Sequence, residues 1–95
     1  MGSYEAFGLS PEKKTLFVFG GSRGAHNINR AVEGALDRLR HLSQLQVIWQ
    51  TGAEDFETVQ AHFRSFPIPV RVFSYLDSIE RAYAVADLAI CRAGA

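Results

Sequence analysis

The first continuous apolar run is Thr15-Leu-Phe-Val-Phe-Gly20, closed by Lys13-Lys14 on one side and Gly20-Gly21 on the other. A run of this kind predicts a strand buried on both faces, as in a parallel sheet. Ala25, Ile28, Ala31, Val32, Ala35, Leu36, Leu39 and Leu42 then recur at helical intervals and predict one long amphipathic helix. Ser22 stands just before it, where a side-chain oxygen caps free amides. Leu45 to Gln50 predicts a second strand, and Thr51-Gly52 a turn. Acidic Glu54, Asp55 and Glu57 suit the positive end of a second helix, whose apolar positions are Phe56, Val59 and Phe63. Pro67 and Pro69 end it, and Val70 to Phe73 reads as a third strand. Asp77 with Glu80 has the spacing of a capping box for a third helix, with Ile79, Ala82, Tyr83 and Ala86 on its apolar face. Asp87 to Cys91 predicts a fourth strand whose Leu88, Ala89 and Ile90 read as interior.

The pattern is β-α-β-α-β-α-β, an α/β chain. Strands alternating with helices imply parallel, right-handed crossovers. In a nucleotide-binding Rossmann unit the spatial order of these strands is 3-2-1-4. A full domain of that type has about six strands. With 95 residues the chain therefore reads as a single partial domain. Residues 15–95 would form the Rossmann-like half, residues 1–14 a lead-in, and residues 1–3 a tag remnant.

Composition narrows the function. Ten basic and ten acidic residues give zero formal charge, which argues against a chain built to bind nucleic acid. The single cysteine, Cys91, cannot form an internal disulfide and fits a reducing compartment. No run of eighteen apolar residues is present, and the first residues lack the pattern of a signal peptide.

The hexapeptide Gly20-Gly21-Ser22-Arg23-Gly24-Ala25 joins a buried strand to a helix N-terminus. Glycines allow close backbone approach, and free helix amides favour an anion, so a phosphate or pyrophosphate is the natural guest. The segment matches neither the P-loop nor G-x-G-x-x-G. The competing reading is a tight turn with Ser22 as a cap. Arg23, in the first helical turn, is unfavourable against the dipole unless an anion is near, and His26 lies one turn further in. Gln50-Thr51-Gly52, Ser74-Tyr75-Leu76-Asp77 and Arg92 to Ala95 each follow a strand, on the side where ligands gather in open α/β sheets. Tyr75 and Leu76 suit the wall of a flat base or the closure of a core. His26, His41, His62 and Cys91 have no metal-ligand spacing, so neither a metal nor a cofactor is expected. G-x-S-x-G is absent.

Taken together, Leu16 to Ala25, Val47 to Gly52, Tyr75 to Ile79, Ala82 to Asp87 and Cys91 to Ala95 resemble, in order and spacing, the MurG family of bacterial N-acetylglucosaminyltransferases. The resemblance covers nearly the whole chain and points to the first half of that family's carboxy-terminal domain. It implies a GT-B architecture of two Rossmann-like domains. It also implies transfer of N-acetylglucosamine from UDP-N-acetylglucosamine to lipid I, giving lipid II, at the cytoplasmic face of the inner membrane. The whole protein would be a peripheral membrane enzyme, and this piece alone would be inactive. By the same resemblance Ser22 contacts the donor, the Leu76 backbone reads the uracil, and Ala95 opens a loop around ribose and phosphates. Gly21, Arg23, Gly24 and Tyr75 flank that site. The family often carries Gln where Arg23 stands, which changes one contact. Another UDP-sugar GT-B enzyme, a UDP-N-acetylglucosamine epimerase and an engineered half-Rossmann module are the alternatives. The apolar fourth strand, as an exposed edge, is expected to pair two chains into a homodimer through residues 87–91.

Overall fold

The computed structural model describes residues 7–19, 25–77 and 79–91, with the side chains of Ala25 and Cys91 outside the description. Four strands, β1 (Lys14–Phe19), β2 (Leu45–Gln50), β3 (Val70–Phe73) and β4 (Leu88–Cys91), alternate with α1 (Ala25–Leu39), α2 (Phe56–Phe63) and α3 (Ile79–Val85). All pairings are parallel, and the sheet order is β3-β2-β1-β4, the order expected of a Rossmann unit. The strand boundaries agree with the sequence reading to within one residue. α1 ends earlier than its apolar pattern, because the chain turns at Leu42, whose N–H donates to the Leu39 carbonyl.

Alternation along the strands sorts the core into two halves. Leu16, Val18, Val47 and Trp49 pack with Val32 and Leu36 of α1 and with Val59 and Phe63 of α2. Phe17 and Ile48 point the other way, against Ala82 and Val85 of α3, Leu76 and Phe7. Two helices on one face and the third on the other is what right-handed crossovers require. The chain moves outward from β1 to β3, then returns across β1 to β4. The central strands β1 and β2 are buried on both sides, so they read as unbroken apolar runs.

Several contacts have no signature in the periodicity. Phe7 is buried and meets Phe73 edge-on at 5.8 Å, while the Arg71 guanidinium donates to the carbonyls of Phe7 and Gly8. Gln46, fully buried in β2, accepts from Ser10 N–H and donates to Ser10 O and Thr15 Oγ1. Residues 7–10 are thereby part of the packed unit. Asp87 fastens β4 to β1: Thr15 N–H donates to Asp87 Oδ2 at 2.7 Å, and Asp87 N–H donates to Thr15 O at 2.8 Å.

One local expectation is corrected. Among the described residues the Asp77 carboxylate makes no hydrogen bond to the start of α3, so the capping box is not formed there. β4 is the sheet edge that the order 3-2-1-4 implies, and its apolar side chains are open: Leu88 is 63% and Ile90 37% exposed. Their register partners in β1, Leu16 and Val18, place both on the α1 and α2 face.

Candidate functional site at the carboxyl ends of the strands

The parallel register aligns the last residues of all four strands. Phe19 pairs with Gln50 and with Cys91, and Gln50 pairs with Phe73. Every following loop therefore leaves from one edge of the sheet, the edge at which α/β proteins hold ligands. Gly21, Ser22, Arg23 and Gly24 follow β1, and Ala95 follows β4; all five lie outside the described residues. The described part of this rim consists of Gln50 to Asp55, Ser74 to Asp77 and the first turns of α1.

The end of β2 organises that rim. Thr51 N–H donates to Phe73 O at 2.8 Å and Gly52 N–H to Ser74 O at 3.1 Å, which extends the β2–β3 ladder into the loops. Gly52 has φ +85°, a conformation that glycine adopts without the penalty of a Cβ, so the turn at Thr51-Gly52 has its residue requirement met. Gln50 is buried, and its Oε1 accepts the Leu76 N–H at 2.9 Å across to the loop after β3. Leu76 is itself buried against Phe17, Ile48 and Ala82. Tyr75, by contrast, is 73% exposed and stands clear of the core.

A second set of polar groups ties the same strand end to α1. Trp49 Nε1–H donates to Asn29 Oδ1 at 2.8 Å. An indole only donates, so this bond fixes the amide orientation and aims Asn29 Nδ2 at Thr51 O (2.9 Å) and Asp55 Oδ2 (2.8 Å). Asn29 and Trp49 are both fully buried, and among the described residues no buried side-chain polar atom lacks a partner. The Asp55 carboxylate also meets His26 Nδ1 at 3.1 Å. The hydrogen bond from Asn29 is the largest influence and holds its pKa below the usual carboxylate value; burial opposes it, and His26 and Arg30 add smaller lowering effects. Asp55 is thus occupied by α1: it makes no side-chain cap on α2, although it sits at that helix's N-cap position.

Of the residues that the sequence singled out, Leu76 and Tyr75 share the rim, and His26 is engaged with Asp55 rather than standing alone. Gln50, Asn29 and Asp55 carry roles that pattern reading did not assign. Polar residues at consecutive strand-end and helix-face positions are the only signal they leave. Among the described residues no cluster of His, Cys, Asp or Glu could hold a metal ion, and no helix is long and apolar enough to cross a membrane.

The profile of the glycosyltransferase family 28 C-terminal domain matches residues 15–95. A UDP-N-acetylglucosamine–N-acetylmuramyl-(pentapeptide) pyrophosphoryl-undecaprenol N-acetylglucosamine transferase of Parabacteroides distasonis is 47% identical over 90 residues, covering 94% of this chain and 24% of that protein. The transferase of the same name from Chlorobium luteolum is 47% identical over 98 residues, covering 96% and 24%. The crystal structure of Acinetobacter baumannii MurG superposes with a TM-score of 0.74 at 31% identity, over 90% of this chain and 26% of that one. The chain spans about a quarter of the length of the relatives it matches. A parallel sheet in the order 3-2-1-4, two helices on one face and one on the other, and a match over 81 of 95 residues agree: the chain belongs to the glycosyltransferase family 28 C-terminal domain family.

Proposed function

We propose that this chain contributes part of the donor-nucleotide site of a MurG-type N-acetylglucosaminyltransferase. In the whole protein, N-acetylglucosamine would pass from UDP-N-acetylglucosamine to lipid I to form lipid II. The observation that carries this reading is the aligned ends of β1, β2 and β3, after which the Gly20 to Gly24 segment and the Leu76 loop follow in sequence. The turn leads into the N-terminus of α1, whose free amides and dipole favour a diphosphate. Ser22, with Gly21, Arg23 and Gly24, would meet the phosphates. Leu76, with Tyr75 beside it, would meet the base, and Ala95 would begin the segment around the ribose. No metal is needed for such binding, because backbone amides supply the donors. Transfer itself needs an acceptor site, which the proposal assigns to the remainder of the whole protein, acting at the cytoplasmic face of the membrane.

Calorimetric titration with UDP-N-acetylglucosamine, UDP and ADP tests the assignment. Weak binding with UDP preferred over ADP is expected, lost when Gly21→Val blocks the backbone approach. Equal affinity for UDP and ADP, or unchanged binding by the Gly21 variant, places the site elsewhere.

The exposed apolar side chains of β4 support a second reading, for association. Leu88 and Ile90 lie on a strand that, among the described residues, pairs only with β1. Two copies joined antiparallel along β4 would cover both edges about a two-fold axis.

A further inference from the structure

β3 ends the sheet on one side, and its outer edge is open. The carbonyls of Pro69 and Phe73 accept from the N–H groups of Val47 and Thr51. Backbone groups alternate sides along a strand, so the N–H and C=O of Val70 and Val72 point away from β2. Among the described residues none of these four groups has a hydrogen-bond partner. Beside them lies a cavity of about 470 Å³, lined by Phe63, Phe66, Val70 and Val72 and flanked by Arg64 and Arg71. Phe66, Val70 and Val72 are only partly buried, so the cavity opens along the strand edge. The local charge has one sign. No acidic residue lines the cavity, and the Arg40 guanidinium lies 5.3 Å from the centre of the Phe66 ring. Arg71 donates to the carbonyls of Phe7 and Gly8, which leaves its charge uncompensated. Every ion pair among the described residues involves a histidine, so no carboxylate neutralises any of these three arginines.

We propose that the β3 edge is a docking surface for an acidic, extended segment of a partner protein, which adds to the sheet as a further strand beside Val70 and Val72. The inference does not depend on the donor-site reading. Strand addition supplies affinity through the ladder, and alternate side chains supply specificity. Here one set of partner side chains enters the apolar cavity, and carboxylates meet Arg64 and Arg40. A second copy of this chain fits the edge poorly, because pairing two β3 edges about a two-fold axis sets one arginine cluster against the other. The same charges that discourage self-pairing of an exposed edge leave it open to a segment of opposite sign. In a chain of zero formal charge, this local excess of cations is the feature that selects the partner.

The test is an NMR titration of the ¹⁵N-labelled chain with three end-capped hexapeptides: alternating glutamate and valine, alternating lysine and valine, and alternating glutamate and proline. The proline peptide keeps the negative charge but loses the N–H groups that a ladder needs. The glutamate–valine peptide should shift the Val70 and Val72 amides and slow their hydrogen exchange. It should bind about tenfold or more tightly than either of the others, and more weakly as salt is raised. Arg64→Glu should abolish that binding, and Arg64→Lys should keep most of it. If Arg64→Glu does not give a folded spectrum, the three peptides compared on the wild type still decide the matter. Equal binding of the lysine peptide overturns the charge argument, equal binding of the proline peptide overturns strand addition, and either result removes the proposal. So does a response at Leu88 and Ile90 in place of Val70 and Val72, or no response to the first peptide. Shifts at β3 that depend on chain concentration without peptide would make a second copy the occupant and refute the assignment to an acidic partner.

Discussion

Replacing Asn29 with alanine should cost more stability than any surface change in this domain. The amide makes three hydrogen bonds, to Trp49, Thr51 and Asp55, from a site with almost no exposure. The Asp55 carboxylate, whose side chain is 18% exposed, can turn to water. Trp49 Nε1 cannot, since the indole is fully buried. A buried donor left without a partner costs about 1–3 kcal/mol, and the bond to an ionised carboxylate contributes about as much again. The expected loss is therefore about 3 kcal/mol, with the indole as the largest single contributor. A domain of this size has a total of about 5 to 14 kcal/mol, so the variant stays folded but melts at least about 12 °C lower. Urea unfolding followed by far-UV circular dichroism measures the loss. Trp49→Phe supplies the decisive control, because it removes the donor that Asn29→Ala strands. In the phenylalanine background the alanine change should cost about 1–2 kcal/mol less than in the wild type. Additive effects, or a loss in Asn29→Ala below about 1 kcal/mol, would show that the buried network does not hold α1 to β2.

The network also predicts a pH dependence. The Asp55 pKa is lowered on folding by Asn29 and His26, so its ionised form stabilises the fold above the ordinary value of 3.8, and that contribution is lost as pH falls through the lower, folded value. The stability margin of the wild type over Asp55→Asn should accordingly be steady at neutral pH and shrink in acid; a margin that grows in acid refutes the assignment. For association, light scattering should report a dimer of the 95-residue chain that Ile90→Lys returns to monomer. A monomeric wild type at high concentration, or a lysine variant that still dimerises, removes the edge-pairing proposal.

The order of elements was legible because each strand and helix buries a contiguous apolar set. Phe17, Val18, Ile48 and Trp49 could satisfy no other arrangement than a sheet covered on both faces. The sheet order followed from reading the alternation as a Rossmann unit with right-handed crossovers. What hid from pattern reading were polar residues whose partners are distant in the chain. Asn29 and Trp49 are twenty residues apart, Gln50 and Leu76 twenty-six, and Thr15 and Asp87 seventy-two. Nothing in a window of a dozen positions marks such a pair. Asp77 shows the converse. Its spacing to Glu80 is that of a cap, yet the bond is not made among the described residues. Tyr83 likewise sits at an apolar helical position but remains half-exposed, with its ring meeting Phe17 edge-on at 5.2 Å.

The end of β2 explains why buried polar groups are tolerated here at all. Burying an amide such as Gln50 or Asn29 is unfavourable unless every donor and acceptor finds a partner, and an apolar pair in their place would stabilise the sheet as well or better. An apolar pair, however, could not fix the direction of a loop. Gln50 sets the Leu76 peptide, Gly52 and Thr51 set Ser74 and Phe73, and Asn29 sets Thr51 and Asp55 against α1. Three consecutive residues of one central strand end thereby orient the loop after β3 and the helix that follows the Gly20 to Gly24 turn. In the proposed donor site, base and phosphates need those two segments at a fixed separation, and a rim built only from exposed loops would hold them loosely. In the proposed donor site the polar cluster acts on spacing: substitutions at Asn29 should weaken nucleotide binding by shifting the segment that meets the base against the one that meets the phosphates.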